Sequence, residues 1–207
     1  MKKLAILGAS GHGKVIADTA RLIGWDQIIF YDDAWPKQAS NAYWPVVGNT
    51  VDLLSSLDSF DGVIVGIGDC KIRWRLYQQL HMANAPLVTI VHPNASVSQN
   101  AKIGAGSVVF GGAVINIDAT VGEACIVNTG AMVDHDCIIS HATHIAPGVH
   151  LSGNVMISSF SWIGIGAILK QGIRIGSGVL VGAGAVVVKD VADGLTIIGN
   201  PASPLAE

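Results

Sequence analysis

The stretch "VDHDCIISHATHIAPGVH", residues 133–150, sets four histidines, His135, His141, His144 and His150, among small and aliphatic residues. An imidazole titrates near neutrality, so such a ring can ligate a metal or move a proton. In "DHD", residues 134–136, two carboxylates flank one ring. A neighbouring carboxylate favours the protonated form and makes the ring a stronger base. Which chemistry applies depends on where the backbone aims each ring.

The elements that aim them are repeats. From Val91 to Val187 an aliphatic residue occupies every sixth position, seventeen in succession. If about three residues in ten were aliphatic by chance, such a run would have a probability on the order of 10⁻⁹. Two positions earlier sits, mostly, a small or slim residue: Ala101, Ser107, Ala113, Ala119, Cys125, Ala131, Cys137, Thr143. Glycine often follows the aliphatic residue, as at Gly104, Gly122, Gly164, Gly176 and Gly182, where a turn can require positive φ. A period of six is the signature of a parallel β-helix. This half resembles the left-handed β-helix of hexapeptide acyltransferases, with three strands and three corners per coil.

In that register the aliphatic residue and the one two before it point inward, and the residue between them points out. His144 and His150 then lie on outer walls, whereas His135 and His141 lie on corners. The rings diverge. A metal needs three or four ligands converging at about 2 Å, so no metal site is expected within one chain. One wall stacks Val108, Ile126, His144, Trp162 and Leu180; the next stacks Val114, Met132, His150, Ile168 and Val186; the third, with Lys102 and Arg174, is more polar. Two apolar outer walls predict subunit contacts, and a three-walled prism predicts a homotrimer. His135 would then face His144 of a neighbouring chain across a cleft. At the corner of His135 the following coil offers Gly153, which leaves room for a substrate and an N–H for a developing oxyanion.

The first ninety residues follow another rule. "LAIL", "IIFYDD" and "GVIVGIG" read as strands, "KVIADTARLIG" and "DCKIRWRLYQQLHMANA" as helices, and "PLVTIV" as a last strand. Alternation of strand and helix gives a small Rossmann-like parallel α/β domain over residues 1–90, followed by the β-helix over 91–207. "GASGHG" is a strand-to-helix turn whose N–H groups can cradle phosphate. With "YDD" after the second strand it also fits a nicotinamide oxidoreductase, but ninety residues leave no second nucleotide half.

Composition narrows the partners. A net charge of -3 with 13% charged residues provides no basic field for nucleic acid. No apolar run approaches the roughly 20 residues that span a bilayer, and "MKKLAILGAS" reads as a first strand rather than a signal peptide. Three cysteines without a C-x-x-C read as reduced thiols of a cytoplasmic protein.

"VNTGAMVDHDCIISHATHIAPG", together with "GASGHG" and "GNPA" at residues 199–202, resembles the bacterial sugar O- and N-acetyltransferases, the sialic acid O-acetyltransferase and UDP-4-amino-sugar N-acetyltransferase group. The resemblance covers the whole chain. It implies an acetyl-CoA-dependent enzyme without a metal, acting on the 4-amino group of a nucleotide-linked 4-amino-4,6-dideoxy sugar, with UDP as the expected nucleotide. It makes His135 the base, Asp136 its partner, and His144 the contact to the thioester, with backbone near Ile165 and Ala183 along the pantetheine. Ser10, Gly11 and His12 would hold phosphate or sugar, Asp32 and Asp33 the nucleoside or amino group, and Gly68 with Lys71 or Arg73 would close the pocket. The alternatives are a GDP- or dTDP-linked sugar, O-acetylation of a sialic-acid-like sugar, or a hexapeptide scaffold without chemistry; the intact "DHD" and Gly153 speak against the last.

Overall fold

The computed structural model describes residues 1–205, and the chain divides into two compact units, Met1–Pro93 and a second starting at Asn94. In the first unit the strands are Lys3–Leu7 (β1), Gln27–Tyr31 (β2), Ser40–Asn41 (β3), Trp44–Pro45 (β4), Gly62–Val65 (β5) and Ile90–Val91 (β6). The helices are Gly11–Leu22 (α1), Thr50–Leu54 (α2) and Cys70–Met82 (α3). The main sheet is parallel, in the order β2-β1-β5. Its centre, Leu4 to Leu7, is unbroken apolar sequence and is buried throughout, as a parallel strand covered on both faces must be.

The expected last strand, "PLVTIV", is reduced beside β5 to one bridge, Val63 to Leu87. Pro86 has no N–H to extend that ladder; its carbonyl accepts from Val63 N–H at 2.9 Å. The hairpin of β3 and β4 and the helix α2 were not anticipated. Helix α2 did carry a signal: Asn49 caps it, and Asp52 three residues on returns a bond to the Asn49 N–H, forming a capping box.

The second unit is a left-handed parallel β-helix of about six turns. Through Val187 its strands are two residues long, and from coil to coil they pair eighteen residues on, as in Ile126↔His144, His144↔Trp162 and Met132↔His150. The last coil is shorter: Leu180 pairs with Thr196, after which an antiparallel strand, Ala202–Pro204, closes the sheet. The interior follows the expected register, with Val109, Val127, Ile145 and Ile163 fully buried. The slim inward polar residues are satisfied at the corners. Ser107 Oγ donates to the Gly122 carbonyl at 2.8 Å and accepts from Cys125 N–H at 2.9 Å. Cys125 and Cys137 donate to the carbonyls of Ser140 and Ser152. All three cysteines are buried and outside any disulfide, and burial raises the pKa of the Cys137 thiol, which keeps it inert.

The turn geometry differs from the expectation. Every sixth residue from Gly106 to Gly184 has a positive φ, between 51° and 74°, but this residue lies three after the aliphatic position, not one. The glycines directly after the aliphatic position serve close approach instead. A Cβ on Gly104 would meet Glu123 N and the Gly122 carbonyl carbon of the next coil at 2.6 Å. At the corner that bears His135, the positive-φ positions are Asp118, Asp136, Asn154 and Gly172; the first three are residue types whose short polar side chains tolerate the left-handed region.

The outer walls are less open than the sequence implied. Val108 and Ile126 are 1% and 0% exposed and His144 is 5% exposed, so this wall is free only at Trp162 and Leu180. The second wall does present apolar surface at Met132 and Ile168, and the third at Ile138.

Candidate active site

His135 projects from the corner between the strands Met132–Val133 and Ile138–Ile139, and it is exposed. Its Nδ1 lies 2.7 Å from Asp136 Oδ2. A carboxylate only accepts, so Nδ1 carries the hydrogen and Nε2 is left with a lone pair. The left-handed backbone of Asp136 turns its short side chain back toward the preceding ring, so the same residue makes the corner and the pair. This hydrogen bond is the main reason the His135 pKa is raised above its ordinary value, with the charges of Asp134 and Asp136 adding to it.

Gly153 sits one coil beyond His135, but not as an open face. A Cβ there would lie 2.5 Å from His135 Cε1 and Nε2, so the missing side chain makes room for the imidazole itself. The expected vacant space for substrate over Gly153 is filled by the ring. Gly153→Ala should therefore push the imidazole off Asp136 and lower kcat about tenfold or more, as misplaced reacting groups do. Melting temperature should barely change, because φ at Gly153 is not left-handed and the displaced ring is exposed; calorimetry beside steady-state kinetics checks both halves.

The four histidines do diverge. His141 Nδ1 lies 3.3 Å from Ser159 Oγ, and its ring meets Phe160 edge-on. His150 is exposed on the second wall. His144 holds the expected strand position but is covered in the single chain: its ring packs on Trp162 at 4.0 Å between centroids, and Nε2 is 3.1 Å from the Asn128 amide. In the single chain it is covered rather than open to solvent. Among the described residues no group of three His, Cys, Asp or Glu side chains is placed to hold a metal.

Trp162 also lines an apolar groove of about 450 Å³ with Gly164, Ile165, Leu180, Val181, Gly182 and Ala183. The structure thus brings Ile165 and Ala183 together, and adds Trp162 and Leu180, which the sequence placed on a wall but not in a site. The lining of this groove is almost wholly apolar.

In the first unit a cavity of about 120 Å³ is lined by Gly8, Asp32, Asp33, Thr50, Ile67, Ile72 and Arg75, among others. Ser10 precedes α1 and its side chain makes no capping bond, while Gly11 has open space around its Cα. His12 is half-buried in the first turn. Asp32 is largely committed to the backbone, accepting from Ala9 N–H at 2.7 Å and Ala34 N–H at 2.8 Å. Asp33 accepts from Thr50 N–H at 3.0 Å.

Arg73 does not take the place expected for it. It is 1% exposed and donates to the carbonyls of Ile67 at 3.1 Å and Gly68 at 2.6 Å, so it braces the loop after β5 rather than closing a pocket over substrate. Lys71 is exposed and is not among the residues lining the cavity; Arg75, one helical turn on, takes that place. An arginine two positions away on a helix faces elsewhere, and "KIRWR" offers no pattern to choose between them.

A solenoid of six-residue repeats with an exposed histidine–carboxylate pair on one corner and an apolar groove on another wall defines a hexapeptide acyltransferase. Comparison with known proteins narrows the class. The PglD N-terminal domain matches residues 3–80. The acetyltransferase domain of PglB from Neisseria gonorrhoeae, solved in complex with acetyl coenzyme A, is 44% identical over 99% of both chains, with a TM-score of 0.94. A variant of perosamine N-acetyltransferase from Caulobacter crescentus, solved with CoA and GDP-perosamine, is 34% identical over 100% of this chain and 98% of that one, with a TM-score of 0.95. UDP-N-acetylbacillosamine N-acetyltransferase of Bacillus subtilis is 34% identical over 111 residues, a match that spans 53% of this chain and about half (51%) of that protein. The chain belongs to the bacterial sugar acetyltransferase family, whose co-substrate is acetyl-CoA. Among the described residues no helix is long and apolar enough to cross a membrane.

Proposed function

We propose that this protein moves the acetyl group of acetyl-CoA to the 4-amino group of a UDP-linked 4-amino-4,6-dideoxy sugar, in the cytoplasm, for surface glycan or glycoprotein biosynthesis. The single observation that carries the chemistry is the 2.7 Å pair of His135 Nδ1 and Asp136 Oδ2, which leaves Nε2 free to accept a proton at an exposed corner. The neutral amine attacks the thioester carbon, and Nε2 takes the proton that the new C–N bond displaces. The tetrahedral intermediate then collapses, the C–S bond breaks, and the coenzyme A sulfur leaves with the proton that His135 returns. Much of the rate comes from holding amine and thioester together.

The groove of Trp162, Ile165 and Ala183 fits the pantetheine arm, with the Asn128–His144 pair under Trp162 toward the thioester end. In a three-sided prism the corner of His135 lies opposite the wall of Trp162, so a single chain does not bring base and groove together. That geometry, with exposed Met132, Ile138 and Ile168, supports a homotrimer in which a neighbour supplies the second half of the site; a trimer mass in light scattering is the expected result, and a monomer at micromolar concentration would sink it.

The nucleoside is assigned to the cavity of Asp33, Thr50 and Arg75, with phosphate or sugar along Ser10, Gly11 and His12. The Bacillus relative bears UDP in its name, which supports a UDP-linked sugar. The GDP-perosamine bound in the Caulobacter structure supports the GDP-linked alternative. Acetyl-CoA consumption against a panel of UDP-, dTDP- and GDP-4-amino sugars decides: the UDP sugar should give the highest kcat/KM. A higher value with a GDP sugar would reassign the base, and turnover with sialic acid alone would replace N- by O-acetylation.

A further inference from the structure

Corner 134–136 is held by more than the His135–Asp136 pair. Asp134 Oδ1 accepts two hydrogen bonds, from His135 N–H at 2.8 Å and from the side-chain amide of Asn116, one coil earlier, also at 2.8 Å. The Asn116 N–H in turn donates to the Val133 carbonyl at 3.0 Å, and the Asp136 N–H to the Ile117 carbonyl at 3.3 Å. Residues 116–118 thus form a seat under 134–136. On the far side, Asn154 N–H donates to the His135 carbonyl at 2.9 Å. At this corner Asn116–Asp134 ties two side chains together from coil to coil.

The bond matters because His135 stands between two carboxylates that are each one residue away. If Asp134 took the imidazole, the ring would turn, and a different edge would face substrate. The two donors on Oδ1 satisfy Asp134 from below and beside, hold its carboxyl pKa below the usual range, and leave it a poor competitor. The Asp136 carboxylate meets the ring directly, at 2.7 Å.

We infer that Asn116 is a positioning residue: by anchoring Asp134 to the coil beneath, it makes Asp136 the sole partner of the imidazole and so fixes Nε2 as the atom that receives the proton. This rests on His135 being the base.

The test is a double-mutant cycle on the full-length protein with acetyl-CoA and the nucleotide amino sugar it turns over best. Asn116→Ala should lower kcat about tenfold, within what small misplacement of a reacting group costs, with both KM values within about twofold. Asn116→Asp, nearly the same shape but a like charge against Asp134, should lose at least as much. In an Asp134→Ala background, removing Asn116 should cost nothing more, because its effect passes through Asp134. Losses that multiply in the double variant, a fall in melting temperature that accounts for the lost activity, or an unchanged kcat would overturn the inference. A rise in sugar KM alone would also overturn it, since Asn116 and Asp134 border a surface groove with Met132 and His150 and would then be direct substrate contacts. If His135→Ala is inactive while Asn116→Ala is normal, this inference falls alone; if His135→Ala is active, the base assignment falls first.

Discussion

Replacing His135 with alanine is expected to lower kcat by roughly 10²- to 10⁴-fold, the usual worth of a general base, with melting temperature and acetyl-CoA KM nearly unchanged. The ring is exposed and no core depends on it, so a loss of that size reports chemistry. His141→Ala, on a different corner with Ser159 and Phe160 as neighbours, should cost little. The pH profile makes the assignment specific. The Asp136 bond raises the His135 pKa, so the basic form becomes dominant only above the ordinary histidine value of about 6.5. Activity should therefore rise with pH through a limb on the alkaline side of that value. Asp136→Asn removes the charge but keeps a residue that accepts the left-handed backbone. It should move the limb to lower pH and lower the plateau by less than His135→Ala does. A limb that stays in place would show that the titrating group is not His135. The substrate amine can contribute a limb of its own, which the His135→Ala residual rate would retain.

The second large effect is on folding. Gly13 on α1 lies where its helix, the turn after β1 and the end of β5 touch backbone to backbone. A Cβ there would run into the Gly8 carbonyl oxygen and lie 3.0 Å from Phe30 Cε1, while a Cβ on Gly66 would lie 2.9 Å from Gly13 Cα. A backbone carbonyl in the turn after the central strand cannot step aside as a flexible side chain does. Gly13→Ala is therefore expected to destabilise the first unit by about 3 kcal/mol, the upper range for overpacking, and urea unfolding followed by tryptophan fluorescence measures it. Gly11→Val is the contrast. Nothing lies within 4 Å of a Cβ at Gly11, so stability should hold while the sugar KM rises about tenfold or more, because the valine occupies the space assigned to phosphate or sugar. Acetyl-CoA KM should stay constant, as the groove lies in the other unit. If Gly11→Val leaves the sugar KM alone, the start of α1 is not the phosphate site.

The repeat was legible because a solenoid writes its register directly into sequence: inward Val127, Ile145 and Ile163 recur with the coil, and the corner position of His135 follows by counting. The pairing of His135 was half legible, since "DHD" offers two carboxylates and only the left-handed backbone at Asp136 and the Asn116 bond to Asp134 decide between them. What counting could not supply was coverage. His144 sits in its expected strand slot yet is buried, because burial of an outward residue depends on what folds over it. The first unit was harder still. Arg73 and Arg75 are two apart on α3, and a two-residue offset swings one inward to brace carbonyls and the other to the cavity. Thr50 carried no signal, since it reaches the cavity through a capped helix in a segment without periodicity.

A coil of eighteen residues makes the second unit a ruler with a single graduation, the spacing of neighbouring strands, about 4.8 Å. The base stands on the coil that contains Asp136, and the groove residues Ile165 and Ala183 belong to later coils. Deleting six residues between them would preserve strand pairing but rotate everything downstream by a third of a turn, carrying the groove onto another wall. Deleting eighteen would keep every bearing and shorten the reach by one graduation. The distance from the reacting centre to the far end of a bound cofactor can thus change only in whole coils, and length drift that is harmless in a surface loop is here converted into a change of direction.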